Sequence, residues 1–166
     1  MRGFSTAEDF IKEAVIMAEP AELEKRIRVL EDIEAIKKLK AKYFRCVDKK
    51  LWDEMEEVWV DDAVADYGMG IELLQGRKAI MDFLKKNLGR DSMISAHQGH
   101  NPEIEITGDT TARGVWLLND RLIVQTIATM NAWGYYEDEY VKVSGEWKKK
   151  GTKLTRILEE WTQTKR

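Results

Sequence analysis

The chain has 166 residues, 43% of them hydrophobic and 34% charged, with a formal net charge of −3. This length fits one domain better than two, and the mild charge excludes the basic surface of a nucleic-acid-binding protein. The only cysteine, Cys46, excludes a disulfide framework, indicates a reducing compartment and is better explained as a buried structural thiol than as a nucleophile.

The first predicted element is a short amphipathic helix from Thr6 to Glu19, which ends at Pro20. We expect it to belong to an N-terminal extension, residues 1–24, that packs on a neighbouring subunit. The opening residues include acids where a signal peptide is apolar, and no apolar run approaches the roughly 20 residues of a membrane helix. We therefore expect a cytoplasmic protein with neither a membrane nor a nucleic-acid partner.

The strongest helix signal covers Ala21 to Lys49. Its apolar residues recur at spacings of three and four and form one stripe, which contains Ile33, Ile36, Leu39, Tyr43 and Val47. A shorter helix is predicted from Trp52 to Val60. Two short strands follow, Ala63 to Tyr67 and Ile71 to Leu74, and a third helix is predicted from Ala79 to Leu88.

After Ser92 the hydrophobic period changes from 3.6 to 2, which predicts antiparallel strands. The predicted strands are Glu103 to Thr107, Thr111 to Leu118, Leu122 to Thr129, Gly134 to Val143 and Trp147 to Glu159. Turns are predicted at Gly108-Asp109, Asn119-Asp120 and Ser144-Gly145, and the lysine run 148–150 is interpreted as a solvated turn. Helices followed by an antiparallel meander predict an α+β fold. We expect a cone-shaped curved sheet, wrapped around the long helix, to enclose a pocket within residues 25–162.

The chain has two histidines, His97 and His100. Histidine has an unperturbed pKa of about 6.5, which suits proton transfer near neutral pH. A structural role, such as core hydrogen bonding, is the alternative for each. A three-residue spacing sends them to opposite faces of a regular strand, but Gly99 and Pro102 can shift the register, so parity alone does not decide which one faces the pocket. Their spacing and the single cysteine argue against a zinc site.

Tyr43 and Asp48 lie near the C-terminal end of the long helix. An acid at this end faces the negative end of the helix dipole. Asp48 either pairs with Lys49 or Lys50 in solvent, or accepts a hydrogen bond from a histidine and orients it as a base. Tyr43 continues the buried stripe, so it is either a core phenol with an internal partner or part of a site.

Several segments resemble the bile acid 7α-dehydratases, which belong with scytalone dehydratase and the SnoaL-like proteins in the nuclear transport factor 2-like superfamily. The similar segments appear in the same order, and the resemblance spans roughly residues 30–161. They are Asp32 to Asp48 with Trp52-Asp53-Glu54, His97 to Ile104, Thr111 to Asp120, and Arg156 to Glu160.

The resemblance implies a role for five residues. Tyr43 matches the tyrosine that contacts the substrate oxygen, His97 matches the catalytic histidine, and Asp48 matches the acid that supports this histidine. Asp120 and Arg156 match two further pocket residues. We add His100 to these two as a substrate-binding residue, and we expect no metal and no cofactor.

The resemblance also implies an assembly and an activity. Relatives are commonly homotrimers, so we expect a homo-oligomer. The activity implied is loss of water from a hydrophobic, steroid-like or polycyclic hydroxy ketone, which is either free or a coenzyme A thioester. Two alternatives remain: isomerisation or cyclisation of a similar ligand, and a small-molecule-binding or assembly module with no catalysis. The match is poor between Asp120 and Trp147, where an expected tyrosine is missing, so the substrate is less well supported than the reaction.

Overall fold

The computed structural model describes residues 20–68, 70–125 and 127–163. The predicted helix from Thr6 to Glu19 lies outside these residues. Three helices, which we label α1 to α3, span Pro20–Lys49, Trp52–Glu56 and Arg77–Leu88. Six strands, β1 to β6, span Trp59–Asp66, Leu74–Gln75, Met93–Gly108, Thr111–Val124, Ala128–Val143 and Glu146–Gln163.

The six strands form one curved sheet in the order β2-β1-β6-β5-β4-β3. Strands β3 to β6 are an antiparallel meander, while β1 runs parallel to β6. Helix α1 packs against β3 and β6, and its apolar stripe is buried there, including Ile36, Tyr43 and Val47. The predicted α+β class, with a curved sheet around a long helix, is confirmed. Cys46 is fully buried, as expected.

The predicted turn at Asn119-Asp120 is wrong. Both residues lie inside β4, where Asn119 pairs with Gln98 and Trp133. Backbone pairing on both sides of this central strand overrides the turn propensity of Asn and Asp. The chain reverses instead between Val124, the last residue of β4, and Ala128, the first residue of β5, so the predicted strand from Leu122 to Thr129 is divided between these two strands. The hairpin at Ser144-Gly145 is confirmed, and both residues have the positive φ angles, 51° and 86°, that a tight hairpin turn favours.

Four smaller predictions also need correction. Helix α2 ends at Glu56 and not at Val60, because the following residues enter β1, where Trp59 is buried and pairs with Lys149. Strand β2 contains only Leu74 and Gln75, and β3 begins at Met93, well before the predicted Glu103. The lysine run is not wholly solvated, because the side chain of Lys149 is completely buried.

Candidate active site

A cavity of about 250 Å³ lies between the concave face of the sheet and helices α1 and α3. Its apolar lining comes from Ile71, Phe83, Leu84, Leu88, Leu122 and Leu154. Its polar lining comes from Tyr43, Tyr67, Asn87, His97, Asp120, Tyr136 and Arg156. A largely apolar pocket with a few convergent polar groups is typical of a small-molecule site.

The end of α1 and the start of β3 bring Asp48 and His97 together. The ring Nδ1 of His97 lies 2.6 Å from Asp48 Oδ1, and the backbone N–H of His97 donates to Asp48 Oδ2 at 2.9 Å. The hydroxyl of Ser95 donates to Oδ1 at 2.8 Å. A carboxylate only accepts hydrogen bonds, so the neutral imidazole carries its proton on Nδ1, and Nε2 is left with a lone pair.

One of the two alternative partners of Asp48, Lys50, has a different acceptor. Lys50 donates to the backbone carbonyl of Met93 at 2.9 Å. Asp48 accepts from β3 instead, and its side chain is 24% exposed. The structure thus favours the orienting arrangement for Asp48 over a solvated lysine pair.

Helix α1 also shelters the imidazole ring. The ring of Phe44 lies nearly parallel to that of His97, with 6.2 Å between centroids and 8° between planes. Gly99 makes room for this contact, because a Cβ atom at this position would lie 2.6 Å from a Phe44 ring carbon. The side chain of His97 is only 7% exposed. The base candidate is therefore held by Asp48 on one side and by an aromatic ring on another.

Three buried phenols form the inner end of the cavity. The hydroxyl of Tyr43 lies 3.4 Å from that of Tyr67, and the ring of Tyr136 meets that of Tyr43 edge to face at 6.3 Å. Burial raises the pKa of Tyr43 to about 12 and raises the pKa values of Tyr67 and Tyr136 well above 10. All three phenols therefore carry their protons at neutral pH and are available as hydrogen-bond donors.

Sequence reasoning missed Tyr67 and Tyr136 as site residues. Tyr67 stood at the end of a predicted strand, and nothing local indicated that the chain would turn it towards α1. Tyr136 belonged to a predicted strand whose alternation already placed it on the same face as Tyr140 and Asp138. The alternation was therefore the one usable signal, and it applied to Tyr136 alone.

Asp120 and Arg156 form an ion pair in the wall of the cavity. Arg156 Nη2 lies 3.2 Å from Asp120 Oδ2, and Glu159 is a second carboxylate partner of Arg156. Asp120 is directly opposite His97 in the β3–β4 register and is 1% exposed. Its other oxygen, Oδ1, is buried without a hydrogen-bond partner among the described residues. This oxygen is therefore an acceptor in the cavity wall with unused capacity.

His100 is not placed in the cavity, contrary to our prediction. It is exposed, and its Nε2 lies 3.2 Å from the side-chain oxygen of Gln98. The register of β3 does shift, but the first shift lies between His100 and Glu103. The shift comes too late along the strand to change the alternation, so His97 faces inward and His100 outward.

Within the residues that the structure describes, no group of three or more His, Cys, Asp or Glu side chains is arranged as a metal would require. None of the helices in this part of the chain is both long and apolar enough to cross a membrane.

Comparisons with known proteins agree with this architecture. A family model described as a SnoaL-like domain matches residues 28–153. A scytalone dehydratase candidate from Novosphingobium aromaticivorans DSM 12444 superposes with a TM-score of 0.73 at 23% identity, over 79% of this chain and 87% of that one.

Two other solved structures from the same bacterial genus are also similar. The hexachlorocyclohexane dehydrochlorinase LinA-type3 from Novosphingobium barchaimii LL02 has a TM-score of 0.73 at 20% identity, over 84% of this chain and 94% of that one. A protein from Novosphingobium aromaticivorans, described as NTF2-like with a cystatin-like fold, has a TM-score of 0.71 at 19% identity, over 85% of this chain and 92% of that one. At such identities the likeness establishes the shared fold.

Proposed function

The chain belongs to the SnoaL-like domain family, and from this premise we propose that it is a dehydratase that removes water from a hydrophobic hydroxy ketone without a cofactor. The observation that carries the proposal is the 2.6 Å contact between His97 and Asp48 at the wall of a largely apolar cavity. Among its structural neighbours, one is named for loss of water and one for loss of hydrogen chloride. Both names describe eliminations, which supports this reaction class.

In the proposed reaction, the lone pair on Nε2 of His97 takes a proton from a carbon that the substrate carbonyl acidifies, either directly next to it or through a conjugated enone. The C–H electrons form the new carbon–carbon double bond, and the C–O bond of the neighbouring hydroxyl breaks. The imidazolium returns its proton to the departing hydroxyl, which leaves as water and restores the base. Asp48 fixes the tautomer and stabilises the imidazolium. A positioned base typically contributes a factor of about 10² to 10⁴ in rate.

In this proposal, Tyr43 supports the negative charge that develops on the carbonyl oxygen. Its phenol is protonated and buried, and Tyr67 lies within reach as its partner. Donors aimed at a developing enolate contribute most when water is excluded, which the apolar lining favours. We assign Tyr43 as the donor to this oxygen and Tyr67 as the residue that orients the donor.

Asp120 and Arg156 provide the substrate-binding wall. The unpaired Oδ1 of Asp120 is suited to accept a hydrogen bond from a substrate hydroxyl, because an unmet buried acceptor is costly and a ligand donor relieves that cost. Arg156 orients Asp120 through their 3.2 Å ion pair. His100 is not part of this set, because it lies on the outer face of β3.

The size of the cavity bears on the substrate. Its volume of about 250 Å³ is below the roughly 300–1,000 Å³ of most ligand sites, so a polycyclic substrate must extend beyond it. An apolar row leads outward from the cavity across three neighbouring strands, from Leu122 through Met130 to Trp161. Trp161 is 62% exposed at the end of this row. We propose a steroid-like ligand that reacts in the cavity and rests its outer rings on the row.

The test is incubation with 3-oxo-7α-hydroxy steroids that carry a conjugated 4,5-double bond, their coenzyme A esters, and smaller cyclic β-hydroxy ketones, with loss of water followed by mass spectrometry. We expect dehydration of at least one class, and the pattern across the three separates steroid from smaller substrates. Failure with every class at high protein concentration would favour isomerisation or simple binding. The trimeric assembly, the cytoplasmic location and the division at residue 25 remain predictions.

A further inference from the structure

A second polar cluster lies behind the phenols, outside the cavity. Its centre is Asp138, which is completely buried and accepts four hydrogen bonds. Lys149 and Thr152 donate to Oδ1 at 2.9 and 2.5 Å, and Lys40 and Tyr140 donate to Oδ2 at 2.7 and 2.8 Å. The carboxylate therefore uses all of its lone-pair sites.

Both lysines of this cluster are buried against aromatic rings. The Nζ atom of Lys149 lies 4.4 Å from the ring centre of Tyr43 and 4.9 Å from that of Trp59. The Nζ atom of Lys40 lies 3.6 Å from the ring centre of Tyr136. Ammonium groups at such distances are attracted to the negative face of an aromatic ring, most strongly when water is excluded.

The surroundings of Lys149 suit a charged ammonium group. Besides Asp138, its Nζ reaches Thr152 Oγ1 at 3.3 Å, so it faces oxygen acceptors and the faces of three aromatic rings. An ammonium has three donors and no acceptor, which fits these partners. Burial lowers the pKa of both lysines, and lowers that of Lys40 further, so Lys149 keeps its proton to the higher pH.

Such a cluster is a costly way to stabilise a core. Two buried cations share one buried carboxylate, and replacing buried ions by apolar groups is often neutral or stabilising. The cluster has no contact with the cavity except through the rings that it touches. A role in tuning those rings therefore accounts for its position better than stability does.

We propose that Lys149 is a positioning residue that holds a positive charge against the ring of Tyr43 and thereby makes its hydroxyl a stronger hydrogen-bond donor towards the cavity. Negative charge gained by the phenol oxygen, when it donates to an enolate, is stabilised by the ammonium behind the ring. The carboxylates of Asp138 and Asp48 act on Tyr43 in the opposite direction, as burial does. The positive charge of Lys149 opposes the combined effect of these two carboxylates and of burial on the Tyr43 hydroxyl. The role of the Tyr43 hydroxyl as a donor to an enolate rests on the proposed function. The acidity of this hydroxyl, however, is measurable without substrate.

The test measures the ionisation of Tyr43 in the free protein. All tyrosines are replaced by 3,5-difluorotyrosine, whose more acidic phenol brings the titration into a range where the protein stays folded. The ¹⁹F signal of Tyr43 is assigned by its loss in Tyr43→Phe. Lys149→Met removes the charge, and Lys149→Gln removes it while keeping a donor for Asp138. Lys148→Met is the matched control, because this neighbouring lysine pairs with Glu146 outside the cluster.

We expect Lys149→Met and Lys149→Gln each to lower the acid dissociation constant of Tyr43 by about tenfold, the size expected for a buried cation–π contact. Lys148→Met leaves it unchanged. If Lys149→Met does not fold, Lys149→Gln gives the answer. A purely structural role would lower the melting temperature of the Lys149 variants and leave the titration of Tyr43 in place, which would overturn the proposal. Because no substrate is used, this failure is distinct from a failure of the proposed reaction.

Discussion

Asp48 and His97 are joined twice, once through the imidazole Nδ1 at 2.6 Å and once through the backbone N–H of His97 at 2.9 Å. An acid in the last turn of a helix is unfavourable by a few tenths of a kcal/mol to about 1 kcal/mol, because it faces the negative end of the dipole. Three donors from β3 offset that cost. The two contacts fix both the position of the strand and the tautomer of the ring, so one carboxylate supports the fold and the proposed base together.

Replacing Asp48 by Asn should lower kcat by about 10² to 10⁴, because the amide no longer stabilises the imidazolium and favours the wrong tautomer. The measurement is steady-state dehydration with the best substrate of the panel. Ser95→Ala is the matched control, since it removes one hydrogen bond from the same carboxylate and leaves the contact with His97. Equal losses in both variants would show that Asp48 acts only as a structural anchor.

Replacing Tyr43 by Phe should lower kcat by about 10² to 10³ with little change in KM, because the hydroxyl is needed mainly for charge that develops during reaction. Tyr67→Phe removes the neighbouring hydroxyl, 3.4 Å away, and should lower kcat less than Tyr43→Phe does. Both changes keep the aromatic ring, so melting temperatures serve as a check on the fold. A larger loss in Tyr67→Phe would reverse the two roles.

Trp161 should affect binding and not chemistry. It lies at the end of the apolar row formed with Leu122 and Met130, outside the cavity. Trp161→Ala should raise KM for a polycyclic substrate several-fold, leave kcat nearly unchanged, and have little effect on a one-ring substrate, since only the larger ligand loses buried apolar area. Leu158→Ala is the control, because Leu158 is exposed on the opposite face. An equal effect on substrates of both sizes would contradict this assignment.

The buried lysines predict an unusual dependence of stability on pH. Burial lowers the pKa of Lys40 well below its usual value of 10.5. At pH values between the lowered pKa of Lys40 in the folded chain and its usual pKa of 10.5, the unfolded chain binds more protons than the folded one. The free energy of unfolding therefore rises with pH, by at most about 1.4 kcal/mol per pH unit for one proton. Lys40→Met should lose this rise and leave a balanced Lys149–Asp138 pair.

Urea unfolding of the unchanged chain and of Lys40→Met at intervals from pH 7 to 9.5 measures this difference. The buried phenols, whose raised pKa values reduce stability only above about pH 10, are common to both chains and fall outside this window. The free energy of unfolding of the unchanged chain should increase relative to that of Lys40→Met as the pH rises. Parallel curves would mean that Lys40 remains charged in the folded protein throughout.

Periodicity predicted the long helix, the curved sheet and the buried side of Tyr43, because these depend on local alternation and on a stripe of apolar residues. The turn propensity of Asn and Asp predicted a turn at Asn119-Asp120, where pairing with two neighbouring strands decides the conformation. The intrinsic preference of a residue is a weak signal when its backbone is buried in a ladder.

The arrangement of the candidate site depended on contacts distant in sequence. Asp48 and His97 were an open choice until the fold joined α1 to β3. His100 is excluded from the cavity because the first register shift in β3 comes after it. The sequence alone does not indicate where this shift occurs. Lys149 lies in a run of lysines and is nonetheless buried, because its alternation within β6 places it on the face of Asp138. No local pattern identified this acceptor.

The central claim is that His97 removes a proton from a carbon next to a carbonyl, and isotope exchange tests it most directly. A cyclic ketone without a leaving group is incubated with the protein in D₂O, and loss of the adjacent C–H signal is followed by ¹H NMR. We predict exchange above the buffer rate with the unchanged chain and a fall of at least about 100-fold in His97→Ala. Exchange at the same rate in His97→Ala would contradict the account.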